Sequence, residues 1–366
     1  MDRFDQRLQL LPPTILTAIA EIDELKGRWI GGVQLNPQTL ARLKQSVLVT
    51  STGASTRIEG ARLSDEEIEK LMRGIAIHRF ADRDSQEVTG YFELLQNVFE
   101  NWQELPVRES IIKHFHKELL KYVEKDALHR GDYKKIDNKV HMIDAAGQSI
   151  GILFDTTPTY LTPTAMQELI AWTTQALQTG AFHPLLVIGN FLVEFLQIHP
   201  FQDGNGRLSR ILTNLLLLKA GYLYMPYVSH EKLIEDNKPD YYLALRTSQR
   251  TFGSEQENIV PWLTFFLKIV RLQSQMAVAL LSDANFEKTL SPNQLAVWRY
   301  LQTVPEASPL QIVQHTRVAR PTVSQVINKL LDLQKVERIG QGRAVRYRLA
   351  RSARSETETD TRLSPQ

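Results

Sequence analysis

His199-Pro200-Phe201-Gln202-Asp203-Gly204-Asn205-Gly206-Arg207-Leu208-Ser209-Arg210 packs an imidazole, a carboxylate, two glycines and two arginines into one short stretch. The segment before it, Leu185 to Ile198, is apolar nearly all round, as befits a helix buried inside a helical domain. The segment after it, Ile211 to Ala220, reads as a second apolar helix that stops at Gly221, a C-terminal cap. The stretch is therefore a tight loop between two buried helices.

Gly204 and Gly206 let backbone N–H groups turn inward, and the loop runs into a helix N-terminus, where the dipole and unpaired donors favour an anion. Arg207 and Arg210 lie three apart in the first turn, so both guanidinium groups reach one side and can grip phosphate oxygens. Without an anion they would oppose the dipole. Asp203, beside this cradle, is placed to hold a divalent cation bridging phosphates. The expected ligand is a nucleotide polyphosphate with magnesium. No thiol, serine nucleophile or second metal-spaced histidine accompanies His199, which leaves it the task of a general base taking a proton from an incoming hydroxyl. Singly, His-Pro-Phe suits a packed core histidine and Gly-Asn-Gly a common turn. Together and in this order they call for chemistry.

The loop resembles the signature of Fic domains, His-Pro-Phe-x-Asp-Gly-Asn-Gly-Arg-x-x-Arg, at every fixed position. His183-Pro184-Leu185 and Phe115 to Leu120 also look like Fic-core sequence, and the resemblance covers roughly residues 86 to 270. It implies transfer of AMP from ATP to a serine, threonine or tyrosine hydroxyl of a target protein, or of the protein itself, with release of pyrophosphate. By the same resemblance His199 deprotonates the hydroxyl and Asp203 holds magnesium. Gly204, Asn205 and Gly206 position the α- and β-phosphates, and Arg207 and Arg210 bind the β- and γ-phosphates.

Ser55-Thr56-Arg57-Ile58-Glu59-Gly60 resembles the inhibitory motif of the same family, which implies that Glu59 reaches Arg210 and takes the place of the γ-phosphate. Holding 99% of molecules closed needs about 2.7 kcal/mol, whereas an exposed ion pair supplies about 0 to 1 kcal/mol. The pair is thus expected to be partly buried, on a helix held by Leu40, Leu43, Val47 and Leu48. Two β-branched runs, one of them Val140-His141-Met142-Ile143, flank a glycine-containing turn and read as a hairpin. In the family such a hairpin covers the nucleotide and pairs with the target backbone. Here Lys134 replaces the family's common arginine, and the usual tip residues are absent. Tyr241 and Tyr242 are expected to wall the adenine pocket.

Composition bounds the rest. With 366 residues, 43% hydrophobic and 23% charged, the chain is long enough for two or three domains. A net charge of +2 gives no general pull toward nucleic acid or membrane, and the absence of cysteine removes disulfides and thiolate metal sites. With neither a signal peptide nor an uninterrupted apolar run of membrane length in the sequence, the expectation is a soluble cytoplasmic protein with no membrane partner. The fold expected is mainly α, with four parts: a helical lobe over 1–85 carrying Glu59, a Fic-type core with its hairpin over 86–270, a winged helix-turn-helix over 285–350, and a disordered tail over 351–366.

In the winged unit, helices opening at Pro292, Pro309 and Pro321 precede a strand in which Val345, Tyr347 and Leu349 alternate with arginines. The third helix turns Thr322, Gln325, Asn328 and Lys329 outward. Residues 287–350 carry ten Lys or Arg against four Asp or Glu, net +6, which suits DNA or a docking protein. Family precedent adds a homodimer. Two alternatives to AMP transfer stand beside it: a DNA-binding regulator whose core senses nucleotide, and transfer of UMP or another phosphate-containing group.

Overall fold

The computed structural model describes residues 2–32, 37–73, 82–143, 149–254, 256–288, 290–332, 335–340 and 345–350. The helices are α1 (Arg3–Gln6), α2 (Pro13–Gly32), α3 (Pro37–Ile58), α4 (Asp65–Arg73), α5 (Arg83–Asn101), α6 (Glu109–Leu119), α7 (Thr162–Thr179), α8 (Pro184–Ile198), α9 (Asn205–Lys219), α10 (His230–Asp236), α11 (Lys238–Gln249), α12 (Val260–Lys288), α13 (Pro292–Gln302), α14 (Pro309–Thr316) and α15 (Arg320–Asp332). Two antiparallel pairs of strands join them: β1 (Lys139–Ile143) with β2 (Ser149–Asp155), and β3 (Val336–Ile339) with β4 (Arg346–Leu349). The chain is mainly α, as the sequence reading requires. It divides into two compact units, Met1–Leu281 and Ser282–Gln366.

The first unit is built around α8 and α9. Every residue of α8 from Leu185 to Ile198 except Gln197 is buried, and α9 is buried from Arg207 to Leu218. Pro184 opens α8 behind His183, whose Nδ1 accepts the Leu185 N–H and whose Nε2 meets Asp23 at 2.9 Å. The helix α7 packs on α8 and α5 on α9, while α3 lies against α5, α9 and α10. The described part of the first 85 residues therefore packs into the same compact unit as the central helices. The α2 residue Trp29 and the α3 segment Ser51 to Thr56 are buried, and such faces need the central helices as partners. Trp29 packs on Tyr224 and Tyr227.

Within α12, Val260–Leu281 has the length and apolar composition of a membrane span, but 56% of its most apolar window is buried inside the protein. Trp262, Leu263, Phe266 and Val270 are core residues there, and Trp262 Nε1 donates to Gly189 O at 2.7 Å. The hairpin pairs Val140 with Phe154, His141 with Ile152, Met142 with Gly151 and Ile143 with Ser149, with two irregularities in register. Its tip, 144–148, lies outside the described residues.

In the second unit α13, α14 and α15 close on Val297, Trp298, Leu301, Ile312, Val323, Ile327 and Leu330. Ser308 and Gln311 form a capping box before α14, and three residues link α14 to α15. The outward residues of α15 are those the period predicts: Gln325, Asn328 and Lys329 are exposed and Thr322 half-buried. The stretch 341–344 and the tail 351–366, expected to be disordered, lie outside the described residues.

Candidate active site

The loop between α8 and α9 turns on two left-handed residues. His199 caps α8 at φ 50 and Gly204 caps the start of α9 at φ 78. Only the second is glycine, so His199 holds a conformation that a side chain adopts at some cost. Asn205 closes the loop: its Oδ1 accepts the Phe201 N–H at 2.9 Å and its Nδ2 donates to Phe201 O at 2.8 Å. The Asn205 side chain is thus committed inside the loop.

His199 Nδ1 lies 3.3 Å from Leu196 O, which makes Nδ1 the protonated nitrogen and leaves a lone pair on Nε2. Burial lowers its pKa to about 4, with the positive Lys134 adding to the effect, so the ring is neutral at pH 7. That is the protonation state a base needs.

Asp203 is half-buried. Its Oδ1 accepts the Gly204 N–H at 2.6 Å, and its Oδ2 meets Arg83 at 2.7 Å and Arg207 at 3.1 Å. Burial works against this carboxylate's charge, but Arg207, the Gly204 N–H and Arg83 together hold its pKa below the ordinary aspartate value. Arg207 is 2% exposed and also meets Glu87 at 2.7 Å.

Arg210 is equally buried, and its partners come from α3 and its C-terminal edge. Nε donates to Ser55 Oγ at 2.7 Å, and Nη2 donates to Ser55 O at 2.9 Å and to Glu59 Oε1 at 2.7 Å. The Arg210 side chain is 2% exposed and that of Glu59 34%, which is the partly buried pair the energetic argument demands. Burial opposes the charge on Arg210, yet Glu59 and the nearby tyrosines keep its pKa above the ordinary arginine value. Glu59 follows the last turn of α3, which ends into Gly60 at φ 104. A Cβ placed on Gly206 would collide with Glu59 Oε1. The carboxylate therefore lies against the bare backbone of the cradle, where an anion would bind.

Tyr241 is 4% exposed and packs edge-on or tilted against Trp262, Phe265 and Tyr242. Tyr242 is half-buried, with Lys238 Nζ at 6.0 Å from its ring. Of the expected hairpin residues, Val140, His141, Met142 and Ile143 form β1.

Three positions were not singled out by the sequence reading. His116 is buried and stacks on Phe201 at 3.9 Å. Its Nδ1 accepts the Gly131 N–H at 2.9 Å, and its Nε2 donates to Asp203 O at 3.0 Å. Arg83 and Glu87, four apart at the start of α5, supply the counter-charges to Asp203 and Arg207. Their i,i+4 spacing is visible in the sequence, but a partner 120 residues away is not.

Residues 106–217 match the Fic/DOC family. They form a Fic domain. The protein is 28% identical over 189 residues to a probable protein adenylyltransferase of Aquifex aeolicus, covering 50% of this chain and 52% of that relative. It is 49% identical over 45 residues to the protein adenylyltransferase Fic of Aedes aegypti, covering 12% of this chain and 9% of the relative. The chain thus spans about half the length of the first relative and far less of the second. Among solved structures, a Fic family protein from Desulfovibrio desulfuricans G20 superposes with a TM-score of 0.59 at 25% identity, over 94% of this chain and 98% of that one. The Fic domain holds every one of the loop residues described above, whereas Glu59 and Arg83 reach it from outside its matched bounds.

Proposed function

We propose that this protein is an adenylyltransferase that moves AMP from ATP to a hydroxyl side chain of a target protein or of itself, held inactive by Glu59. The observation that carries the reading is the neutral His199, with its Nε2 lone pair free, on the same short loop as an anion cradle lined by two buried arginines. The naming of the relatives as adenylyltransferases supports it.

In this reaction the target hydroxyl gives its proton to His199 Nε2 while its oxygen attacks the α-phosphorus. The bond from that phosphorus to the β-phosphate bridging oxygen breaks, and pyrophosphate leaves with the electron pair. The imidazolium then returns its proton to solvent. Arg207 and Arg210 hold the leaving phosphates, and the backbone N–H groups at the start of α9 hold the oxygens that gain charge. Burial makes His199 a weak base in the free protein, and a bound polyphosphate raises its basicity by placing negative charge beside it.

Asp203 is the residue that would hold magnesium. Among the described residues no three acidic or histidine side chains converge, which suits a cation carried by one carboxylate and the phosphates. Magnesium, when bound, neutralises phosphate charge and orients the phosphates. The α15 face with Gln325, Asn328 and Lys329 and the arginines of β4 support docking of the second unit on nucleic acid or protein.

The test incubates wild type, Glu59→Gly, and Glu59→Gly/His199→Ala with magnesium and labelled ATP, with UTP in parallel, followed by intact mass. One added AMP in the released variant, absent without His199, is the expected result. A UMP adduct would transfer the reading to another nucleotide, and no adduct on the protein or on added lysate proteins would overturn it.

A further inference from the structure

The feet of the hairpin, residues 134–138 before β1 and Thr156-Thr157 after β2, occupy backbone carbonyls on both sides of His199. Thr157 N donates to Gln197 O at 3.2 Å and Lys134 N to Pro200 O at 2.8 Å. Lys134 Nζ donates to Ile198 O and Asn138 Nδ2 to Phe201 O, each at 3.0 Å. The left-handed His199 is thus bracketed by four bonds that all come from the hairpin's feet.

Lys134 is the centre of this arrangement. It is 3% exposed, and its two remaining ammonium donors go to Asn138 Oδ1 at 3.0 Å and Thr156 Oγ1 at 2.9 Å. Thr156 Oγ1 in turn donates to Asn138 O at 2.7 Å, which ties one foot to the other. All three N–H donors of the ammonium are used, two on the feet and one on the carbonyl immediately before the base. Keeping a cation there has a cost, because burial lowers its pKa to about 8 and only Asp137 opposes that effect. Asp137 is itself engaged with Thr159. A buried charge with no carboxylate bonded to it among the described residues, and with every donor directed across one junction, serves the geometry of that junction.

We infer that Lys134 is a positioning residue for His199: its ammonium ties both feet of the hairpin to the carbonyl that precedes the base. The inference rests on the adenylyltransferase reading. It makes the hairpin and the base one mechanical unit, so a target strand paired to β1 or β2 presents its hydroxyl to a ring fixed by the same residues. The cradle from Gly204 to Arg210 receives none of these three ammonium bonds, so the strut acts on transfer and leaves nucleotide binding alone.

The test compares Lys134→Met and Lys134→Arg in a Glu59→Gly parent, with Thr156→Val as a milder variant that removes one acceptor of the same ammonium. Lys134→Met is expected to slow AMP adduct formation about 100-fold, the loss a misplaced base brings, with ATP affinity unchanged. Lys134→Arg, which keeps charge and donors, restores most of the rate. The parent's rate falls above pH of about 8 as Lys134 loses its proton, and the Arg variant's does not. The other titratable groups facing Lys134 are Asp137, held below its ordinary value, and His199, near 4, and neither titrates in that range. Equal adduct rates in parent and Met variant, or a loss of ATP affinity that accounts for the slowing, would overturn the inference. A parent that forms no adduct sinks the proposed activity instead. The strut is then judged by amide exchange at 197–201: faster exchange in the Met variant and not in the Arg variant supports it, and unchanged protection overturns it.

Discussion

Removing the Glu59 carboxylate tests how much of the resting state one ion pair holds. Unit charges about 4 Å apart attract by about 4 kcal/mol at an effective dielectric of about 20. Glu59 is 34% exposed, so water returns part of that, and roughly 2 to 3 kcal/mol is left for holding the cradle closed. That range brackets the 2.7 kcal/mol or so needed to keep 99% of molecules closed. Glu59→Gly is therefore expected to tighten ATP binding, measured calorimetrically in a His199→Ala background, by about 30- to 150-fold. With His199 present, adduct formation should rise by a similar factor. Glu59 stands after the last residue of α3, so glycine there adds no mid-helix cost. Glu59→Gln, which keeps one hydrogen bond and loses the charge, should give about tenfold. A change below about fivefold in both assays is what an exposed pair would give, and it would refute the claim that Glu59 holds the site shut.

His199→Ala should abolish AMP transfer in the Glu59→Gly background while ATP affinity holds. With His199 present, the rate at limiting ATP should stay flat well below pH 6.5, because the free ring titrates at about 4. A rate that halves near pH 6.5 would contradict this. His116 is also held near 4, chiefly by burial. Because both folded-state values lie below the unfolded 6.5, the unfolded chain binds more protons as pH falls. Their contribution is complete above 6.5 and lost between there and about 4, up to roughly 3 kcal/mol per ring before discounting for water. Urea unfolding at pH 7 and 4.5 should show the loss, smaller in His116→Phe, and equal losses in both proteins would exclude His116 as a source. Arg83→Ala should strengthen binding of magnesium with ATP, since it removes one of the two arginines that share Asp203 Oδ2, and a weaker complex would make Arg83 a nucleotide ligand instead. If the second unit binds DNA, Arg320→Ala/Lys329→Ala should weaken it and flatten its salt dependence, with gel shifts at two salt concentrations as the check.

Much of the site was legible because the residues that make it are adjacent in the chain. A loop whose glycines, arginines and carboxylate fall within eight consecutive residues has its geometry fixed by the helices on either side, and Gly204 at φ 78 is the conformation its position demands. The helix starts at Pro292 and Pro309 were legible for the same reason. Whatever depends on distant segments was not. Asn205 is a local exception, turning inward because the Phe201 backbone four residues earlier offers both a donor and an acceptor. Tyr241 is buried because Trp262 and Phe265, some twenty residues on, close over it. The packing of residues 1–85 into the central helices is likewise a matter of faces: amphipathic patterning says that a helix has a buried side and not what covers it.

Every charged group that the proposed reaction would use is neutralised by a neighbour in this conformation. Arg210 holds Glu59, Arg207 holds Glu87 and Asp203, and Asp203 also holds Arg83. Buried charges left alone are expensive, so each of these groups needs such a counter-charge. The counter-charges differ in kind. Glu87 is 7% exposed and stays with Arg207 whatever binds, whereas Glu59 and Asp203 are open to water on one side and can give up their arginines to phosphate. Under the proposed function, phosphate entry would release two carboxylates at once: Glu59 with no new partner, which would favour withdrawal of the end of α3, and Asp203 beside the incoming phosphates. Under the proposed function, inhibition and metal binding would be opposite outcomes of a single exchange at Arg207 and Arg210, both of which lie on the twelve-residue loop.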